Sequence, residues 1–194
     1  MEGFFSSVGF GWTMSKAMPY VVFILLGVIL AIAARKYFKK RILRTASLLL
    51  IFIPFVIYFM ISPIYESDFA NSYTTYKASN RMSEEGHLTV IAIPNCPFCS
   101  EAMDRLLKIQ ENTSSTSIDF RVLTDDSLAL TPYLEKANGL INVIMEERIA
   151  PFAQIATGSF PTYVYTSKEE TKVWNNDGIG SNALDWMEEQ LASK

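Results

Sequence analysis

This 194-residue chain holds only two cysteines and one histidine. A structural zinc site needs four ligands, and the chain holds neither a second cysteine pair nor a histidine cluster. Positive charge is also short. Seventeen Lys and Arg against twenty Asp and Glu leave a net charge of −3, which gives no case for nucleic acid as a partner, since that would call for a basic face. No internal repeat and no low-complexity tract is present. Locally, charge disappears altogether: residues 17–34 contain no charged side chain, and neither do residues 45–65.

Those two gaps set the first expectation. A membrane helix needs roughly 17–25 largely apolar residues to cross a hydrocarbon core about 30 Å thick. Residues 17–34 meet that length and 45–65 exceed it, so the chain is expected to begin with a two-helix transmembrane hairpin in contact with the lipid bilayer. Pro19, Gly27, Pro54 and Pro63 are compatible with it, because kinks and small residues are tolerated in membrane helices. Between the spans, residues 35–44 hold six basic residues and no acidic one. Short loops of that kind stay on the cytoplasmic side, which puts residues 1–16 and everything after residue 65 outside. A signal peptide is the competing account of the first span, with Ala31-Ile32-Ala33 as its cleavage site. Arg35 and Lys36 directly after it argue for retention, and the rest of the chain faces outward either way.

From residue 66 the composition becomes that of a water-soluble domain. Residues 66–86 are polar, with Phe69, Tyr73 and Tyr76 at helical spacing, and read as a linker or a helix. Residues 87–194 form the domain proper. Leu88–Ile93 is a continuous apolar, β-branched run suited to a buried strand, and Pro94-Asn95 ends it. Ala102, Met103, Leu106, Leu107 and Ile109 then recur at helical spacing among charged neighbours, the pattern of an amphipathic helix. Ile118–Val122 alternates as a second strand. Asp125, Asp126 and Ser127 can cap helical segments across 128–137, Asn138-Gly139 punctuates them, and a further helical stretch is expected over 140–148. Thr162–Tyr165 and Thr171–Trp174 read as a hairpin, and Ser181 can cap a last helix. Strands joined through a helix should run parallel and the last pair antiparallel.

Both cysteines, Cys96 and Cys99, fall at the junction of the buried strand and the amphipathic helix. Unpaired N–H groups and the helix dipole favour negative charge there, so Cys96 should be stabilised as thiolate, the species that attacks disulfides. Cys99, one turn further in, would resolve a mixed disulfide. Pro97 suits the first helical turn. A static disulfide is one alternative. Another is copper handling through Cys96, Cys99 and His87 or a methionine, although His87 reads as an ordinary surface residue.

The run Leu88–Ile93, followed by Cys96-Pro97-Phe98-Cys99 and its helix, resembles the thioredoxin superfamily. So does Gly158-Ser159-Phe160-Pro161-Thr162 downstream, which is similar to the family's Gly-x-x-Pro-Thr segment. Gly178 ahead of residues 181–191 resembles the family's late glycine and closing helix. The resemblance covers residues 86–192 and implies an α/β fold of thioredoxin type, a central mixed sheet flanked by helices. It also implies a thiol–disulfide oxidoreductase with Cys96 and Cys99 as the catalytic pair and no bound cofactor or metal. Pro161 would be a cis-proline packed against the active-site disulfide, and Phe160, Pro161 and Thr162 would meet substrate along with Pro97 and Phe98. Four departures stand beside it. Asn95 replaces a frequent Trp, Val90 takes the place of a buried acid, Phe160 is bulky for its position, and residues 125–159 are longer than a minimal thioredoxin needs.

The expected partners are protein thiols or disulfides and a membrane-embedded redox protein. The expected location is the bacterial plasma membrane, multi-pass, with the C-terminal domain extracytoplasmic. Asn112-Thr113-Ser114 would be a glycosylation acceptor only in a eukaryotic secretory pathway. A membrane-tethered binding module on the same fold, without turnover, is the alternative function.

Overall fold

The structure is a computed structural model and describes residues 11–37, 49, 51–77, 86–113 and 118–193. The chain forms two compact units, residues 1–69 and 70–194.

In the first unit, helix α1 spans Trp12–Tyr37 and helix α2 spans Phe52–Ile61. Twenty-five residues of α1, Trp12–Lys36, are long and apolar enough to cross a membrane. At 1.5 Å per residue they reach about 37 Å. Of the expected second span, residues 45–65, the described residues hold α2, about 15 Å long, with 3-10 helix at 49 and 51 ahead of it; residues 45–48 and 50 lie outside the described residues. Among the described residues one helix, α1, is long and apolar enough to cross a membrane, and α2 is a shorter apolar helix. Of the basic loop 35–44, Arg35 and Lys36 lie in the last turn of α1, and residues 38–44 lie outside the described residues.

The two helices nevertheless pack as an antiparallel pair. Lys16 pairs with Asp68 at 2.7 Å, the Tyr20 hydroxyl donates to the Ser62 carbonyl, and Phe23 stacks on Tyr58 with ring centroids 4.6 Å apart. Gly27 lies against the Ile51 carbonyl so closely that a Cβ would collide with it.

The second unit is built on a six-stranded mixed sheet. In chain order its elements are β1 (Thr74–Lys77), β2 (His87–Ala92), α3 (Pro97–Thr113), β3 (Ile118–Leu123), α4 (Thr131–Ala137), β4 (Asn142–Glu146), α5 (Ile149–Ala156), β5 (Thr162–Thr166), β6 (Glu170–Trp174) and α6 (Ser181–Ala192). The strands lie in the order β1-β6-β5-β2-β3-β4. β2, β3 and β4 are parallel, and β5 is antiparallel to both β2 and β6. The parallel pairing through α3 and the antiparallel β5–β6 hairpin are the ones the sequence predicts.

Because strand side chains alternate between faces, the sheet has two unlike sides. Val90, Phe120, Tyr163 and Trp174 share one face and are fully buried. Helices α3, α4 and α6 cover it: Phe120 meets Tyr133 of α4 at 5.0 Å, and Trp174 meets Trp186 of α6 at 5.2 Å. On the other face Ile91, Leu123, Val164 and Val173 pack with Phe152 of α5. Next to that apolar cluster runs a line of charge. Asp119 accepts from Asn142 at 2.8 Å and faces His87 at 3.3 Å, while Arg121 bonds Glu146 at 2.9 Å.

Four readings are corrected by this fold. Residues 66–77, expected as linker or helix, hold a 3-10 turn at Glu66–Phe69 and then the edge strand β1. Residues 142–146, expected within a helix, are β4: the β-branched Val143 and Ile144 pair with Phe120 and Arg121 on the open edge of β3, and pairing outweighs local preference. His87 is half-buried against Asp119 rather than an ordinary surface residue. Ser181 does not cap α6, whose N-cap is Gly180 without a side-chain bond. Asp126 does cap, accepting from the Leu128 N–H at 2.9 Å, and Asn138 and Gly139 both turn with positive φ. The stretch 78–85 lies outside the described residues.

Candidate functional site

The site begins where β2 stops. Ile93 and Pro94 leave the sheet, and Asn95 takes a left-handed conformation, φ 55°, which asparagine tolerates better than most residues. This turn presents Cys96 immediately ahead of α3, whose first residue is Pro97. Cys96 is partly exposed, and Cys99, one turn inside the helix, is fully buried. The two form a disulfide, with Cα atoms 5.2 Å apart, inside the usual 4.4–6.8 Å range. Pro97 and Phe98 face solvent, Phe98 with 57% of its surface exposed.

Cys96 sits where negative charge is favoured. The Cys99 N–H points at Cys96 Sγ from 3.1 Å, and the Ser100 N–H donates to the Cys96 carbonyl at 3.1 Å. The Ser100 bond is the first i→i−4 bond of α3, whereas the Cys99 amide is one of the N-terminal N–H groups left without a partner within the helix. A thiolate on Cys96 would receive the same amide hydrogen and the positive end of the helix dipole.

Phe160–Pro161 is a cis peptide. Pro161 and Thr162 are buried and Phe160 is half-buried. The register sets Thr162 opposite Ile91, so the cis peptide lies at the end of β5 that flanks the exit of β2 towards Cys96. The Thr162 hydroxyl donates to the Ser159 carbonyl and fastens the turn. Gly178 lies with its backbone against Ser72, leaving no room for a Cβ, and its carbonyl accepts from the Ser72 N–H at 2.9 Å. An open groove of about 540 Å³, lined in part by Tyr73, Thr157, Ser159, Asn175 and Asp177, lies at this same end of the sheet.

Beneath α3, the strand position that lacks an acid is Val90, and its antiparallel neighbour is Tyr163. Burial pushes the Tyr163 hydroxyl up to about 12, against the pull of the nearby Arg105 guanidinium. It stays protonated at any working pH and cannot serve as a proton acceptor.

Two residues that touch the cysteine loop were not singled out from the sequence. The Tyr133 hydroxyl donates to the Ile93 carbonyl at 2.8 Å. Burial raises its pKa, and a backbone hydrogen bond from Cys96 lowers it part of the way back. Lys136 donates to the Ser100 carbonyl and hydroxyl at 2.7 and 2.9 Å and to Asp104 at 2.8 Å. Nothing in α4, a short helix remote in sequence from the cysteines, signals this role. His87 does not join the site. It starts β2, and five residues of strand, about 16 Å, separate it from the end that leads to Cys96. Among the described residues no group of three or more His, Cys, Asp or Glu side chains is placed to hold a metal.

No protein-family model matches the chain, and no curated protein does either. Among solved structures, one that is similar is a secreted Mycobacterium tuberculosis disulfide oxidoreductase described as homologous to E. coli DsbE. The likeness has a TM-score of 0.45 and 17% identity, covering 66% of this chain and 97% of that one. From its own strand order, its Cys-x-x-Cys disulfide at a strand–helix junction and its cis Phe160–Pro161 peptide, the second unit has a thioredoxin-like fold.

Proposed function

We propose that the chain is a membrane-anchored thiol–disulfide oxidoreductase acting on extracytoplasmic protein thiols or disulfides. The observation that carries this reading is the Cys96–Cys99 disulfide at the N-terminus of α3, with the Cys99 amide aimed at Cys96 Sγ. Its asymmetry fits a division of labour: the partly exposed Cys96 meets substrate and the buried Cys99 resolves.

In the oxidising direction, a substrate thiolate attacks Cys96 Sγ. The Cys96–Cys99 bond breaks, and Cys99 leaves as a thiolate that takes up a proton. A second substrate thiolate then attacks the substrate sulfur of the mixed disulfide, and Cys96 leaves as thiolate. The substrate loses two electrons as its disulfide forms, and the cysteine pair gains them. Reduction of a substrate disulfide is the same sequence reversed, started by the Cys96 thiolate. Neither Val90 nor the protonated Tyr163 can serve Cys99 as a proton acceptor, which fits the oxidising direction. In this reading Pro97, Phe98, Phe160, Pro161 and Thr162 line the substrate path, with the Phe160 backbone pairing to an extended peptide.

The apolar N-terminal helices supply the anchor. Arg35 and Lys36 at the end of α1 support a cytoplasmic turn, and the antiparallel packing of α2 on α1 brings residues 16 and 68 to one end. The domain would then lie outside the bacterial plasma membrane, beside a membrane redox partner that resets the cysteine pair.

The test is a redox titration of the full chain, purified in detergent, in glutathione buffers. A reversible two-electron couple is expected, closer to the roughly −120 mV of a strong oxidant than to the roughly −270 mV of thioredoxin. A disulfide that does not exchange reversibly would leave a static cross-link and sink the reading.

A further inference from the structure

Tyr133 and Lys136 stand three residues apart on α4 and therefore share one helix face. From that face they reach both sides of the cysteine loop. Tyr133 is buried against Phe120, and its hydroxyl holds the Ile93 carbonyl on the entry side of the loop and meets the Cys96 amide. Lys136 holds the Ser100 carbonyl and hydroxyl on the exit side, one residue past Cys99. Its third bond, to Asp104, ties it to the next turn of α3. The peptide from Ile93 to Ser100 is thus fastened at both ends by a single turn of a helix that lies between β3 and β4.

The charges around this loop can be assigned. On α3, Glu101 is paired with Arg105 at 2.8 Å, and Arg105 also faces Tyr163. Asp104 is paired with Lys136 at 2.8 Å. On α4, Glu135 faces solvent. Lys136 is the cation bonded directly to the residue that follows Cys99. Reduction converts a neutral disulfide into a dithiol that carries a thiolate at Cys96. A nearby cation stabilises that product, and a nearby anion opposes it.

We propose that α4 is a positioning clamp for the redox loop, in which Tyr133 fixes the backbone and Lys136, balanced against Asp104, sets the reduction potential of the Cys96–Cys99 couple. This rests on the thiol–disulfide reading above. Lys136 and Tyr133 act through the loop and are positioning residues; neither takes part in exchange.

The experiment is the glutathione redox titration of the full chain carrying Lys136→Met, Asp104→Asn, Tyr133→Phe or Lys136→Arg, together with the Cys96 thiolate titration followed by ultraviolet absorbance. Lys136→Met should shift the equilibrium about tenfold towards the disulfide, a fall in potential of about 30 mV, and should raise the Cys96 pKa. Asp104→Asn, which leaves Lys136 unopposed, should shift both in the reverse direction. Lys136→Arg should stay close to the unsubstituted protein. Tyr133→Phe should raise the Cys96 pKa by releasing the loop. A merely structural role would not give opposite signs to the two partners of one ion pair. If Lys136→Met and Asp104→Asn both stay within twofold of the unsubstituted chain, or move in the same direction, the clamp is refuted. A missing couple in the unsubstituted chain would remove the redox reading itself, whereas a couple that refuses to move removes only the clamp.

Discussion

The two units of this chain place their apolar side chains on opposite sides of their surfaces. In residues 70–194 the largest apolar groups are inside: Trp174 and Tyr163 have no exposed surface. Among the described residues of 1–69 they are outside. Ile29 is 63% exposed, Ile32 64% and Met60 81%, whereas Ser15, Pro19, Tyr20, Gly27 and Ala31 of α1 are buried. A domain folded by water hides its apolar surface. A helix pair that hides a serine and a tyrosine hydroxyl, and leaves isoleucine outside, is suited to a solvent as apolar as isoleucine itself. The lipid reading of the first unit rests on this inversion.

Cutting the core should produce the largest effect. Trp174→Ala removes a fully buried indole whose Nε1 donates to Asn71 at 2.9 Å and whose ring meets Tyr73 and Trp186. A loss of about 3–5 kcal/mol is expected, read from denaturant unfolding of the second unit. Ile29→Ala, an equally drastic truncation on the outside of α1, should leave that transition unmoved.

Charging the outside comes next. Ile29→Lys should cost insertion about 2.5–3.5 kcal/mol if α1 crosses lipid, seen as a smaller membrane-bound fraction after carbonate extraction. An unchanged fraction would mean that the exposed isoleucines face something other than lipid.

The smallest effect concerns acid. Burial pushes the Asp119 carboxyl up, but hydrogen bonds from His87 and Asn142 and the charge of Arg121 more than offset this and hold it below its ordinary value of 3.8. A depressed carboxylate contributes stability that is complete above that ordinary value and is lost as pH falls through the lower folded value. Unfolding free energy of the second unit should therefore drop below about pH 4, and Asp119→Asn should flatten that drop.

What could be read in the sequence follows what local pattern encodes. The uninterrupted run Leu88–Ala92 announces a central strand because burial on both faces demands it. Pro97 and the spacing of Ala102, Met103, Leu106 and Ile109 announce the helix behind the cysteines, while the cis turn at Phe160-Pro161-Thr162 comes only from the resemblance to the thioredoxin superfamily's Gly-x-x-Pro-Thr segment. The edge strands were illegible: β1 and β4 each pair on one side only, so Tyr73 and Tyr76, or Ile141 and Ile144, satisfy a helical spacing equally well. The grip of Tyr133 and Lys136 on the loop was beyond reach for another reason. Their bonds to Ile93 and Ser100 span 40 and 36 residues and depend on where α4 docks, which no local spacing records.

The most direct test of the central claim is to trap the exchange intermediate. The Cys99→Ser chain, presented with a reduced, unfolded secreted protein and a mild oxidant, should accumulate a mixed disulfide through Cys96 that dithiothreitol releases, while Cys96→Ser forms none and loses exchange activity. If Cys96→Ser kept that activity, or if Cys99→Ser trapped no substrate at all, the assignment of Cys96 as the attacking sulfur and Cys99 as its resolving partner would be contradicted.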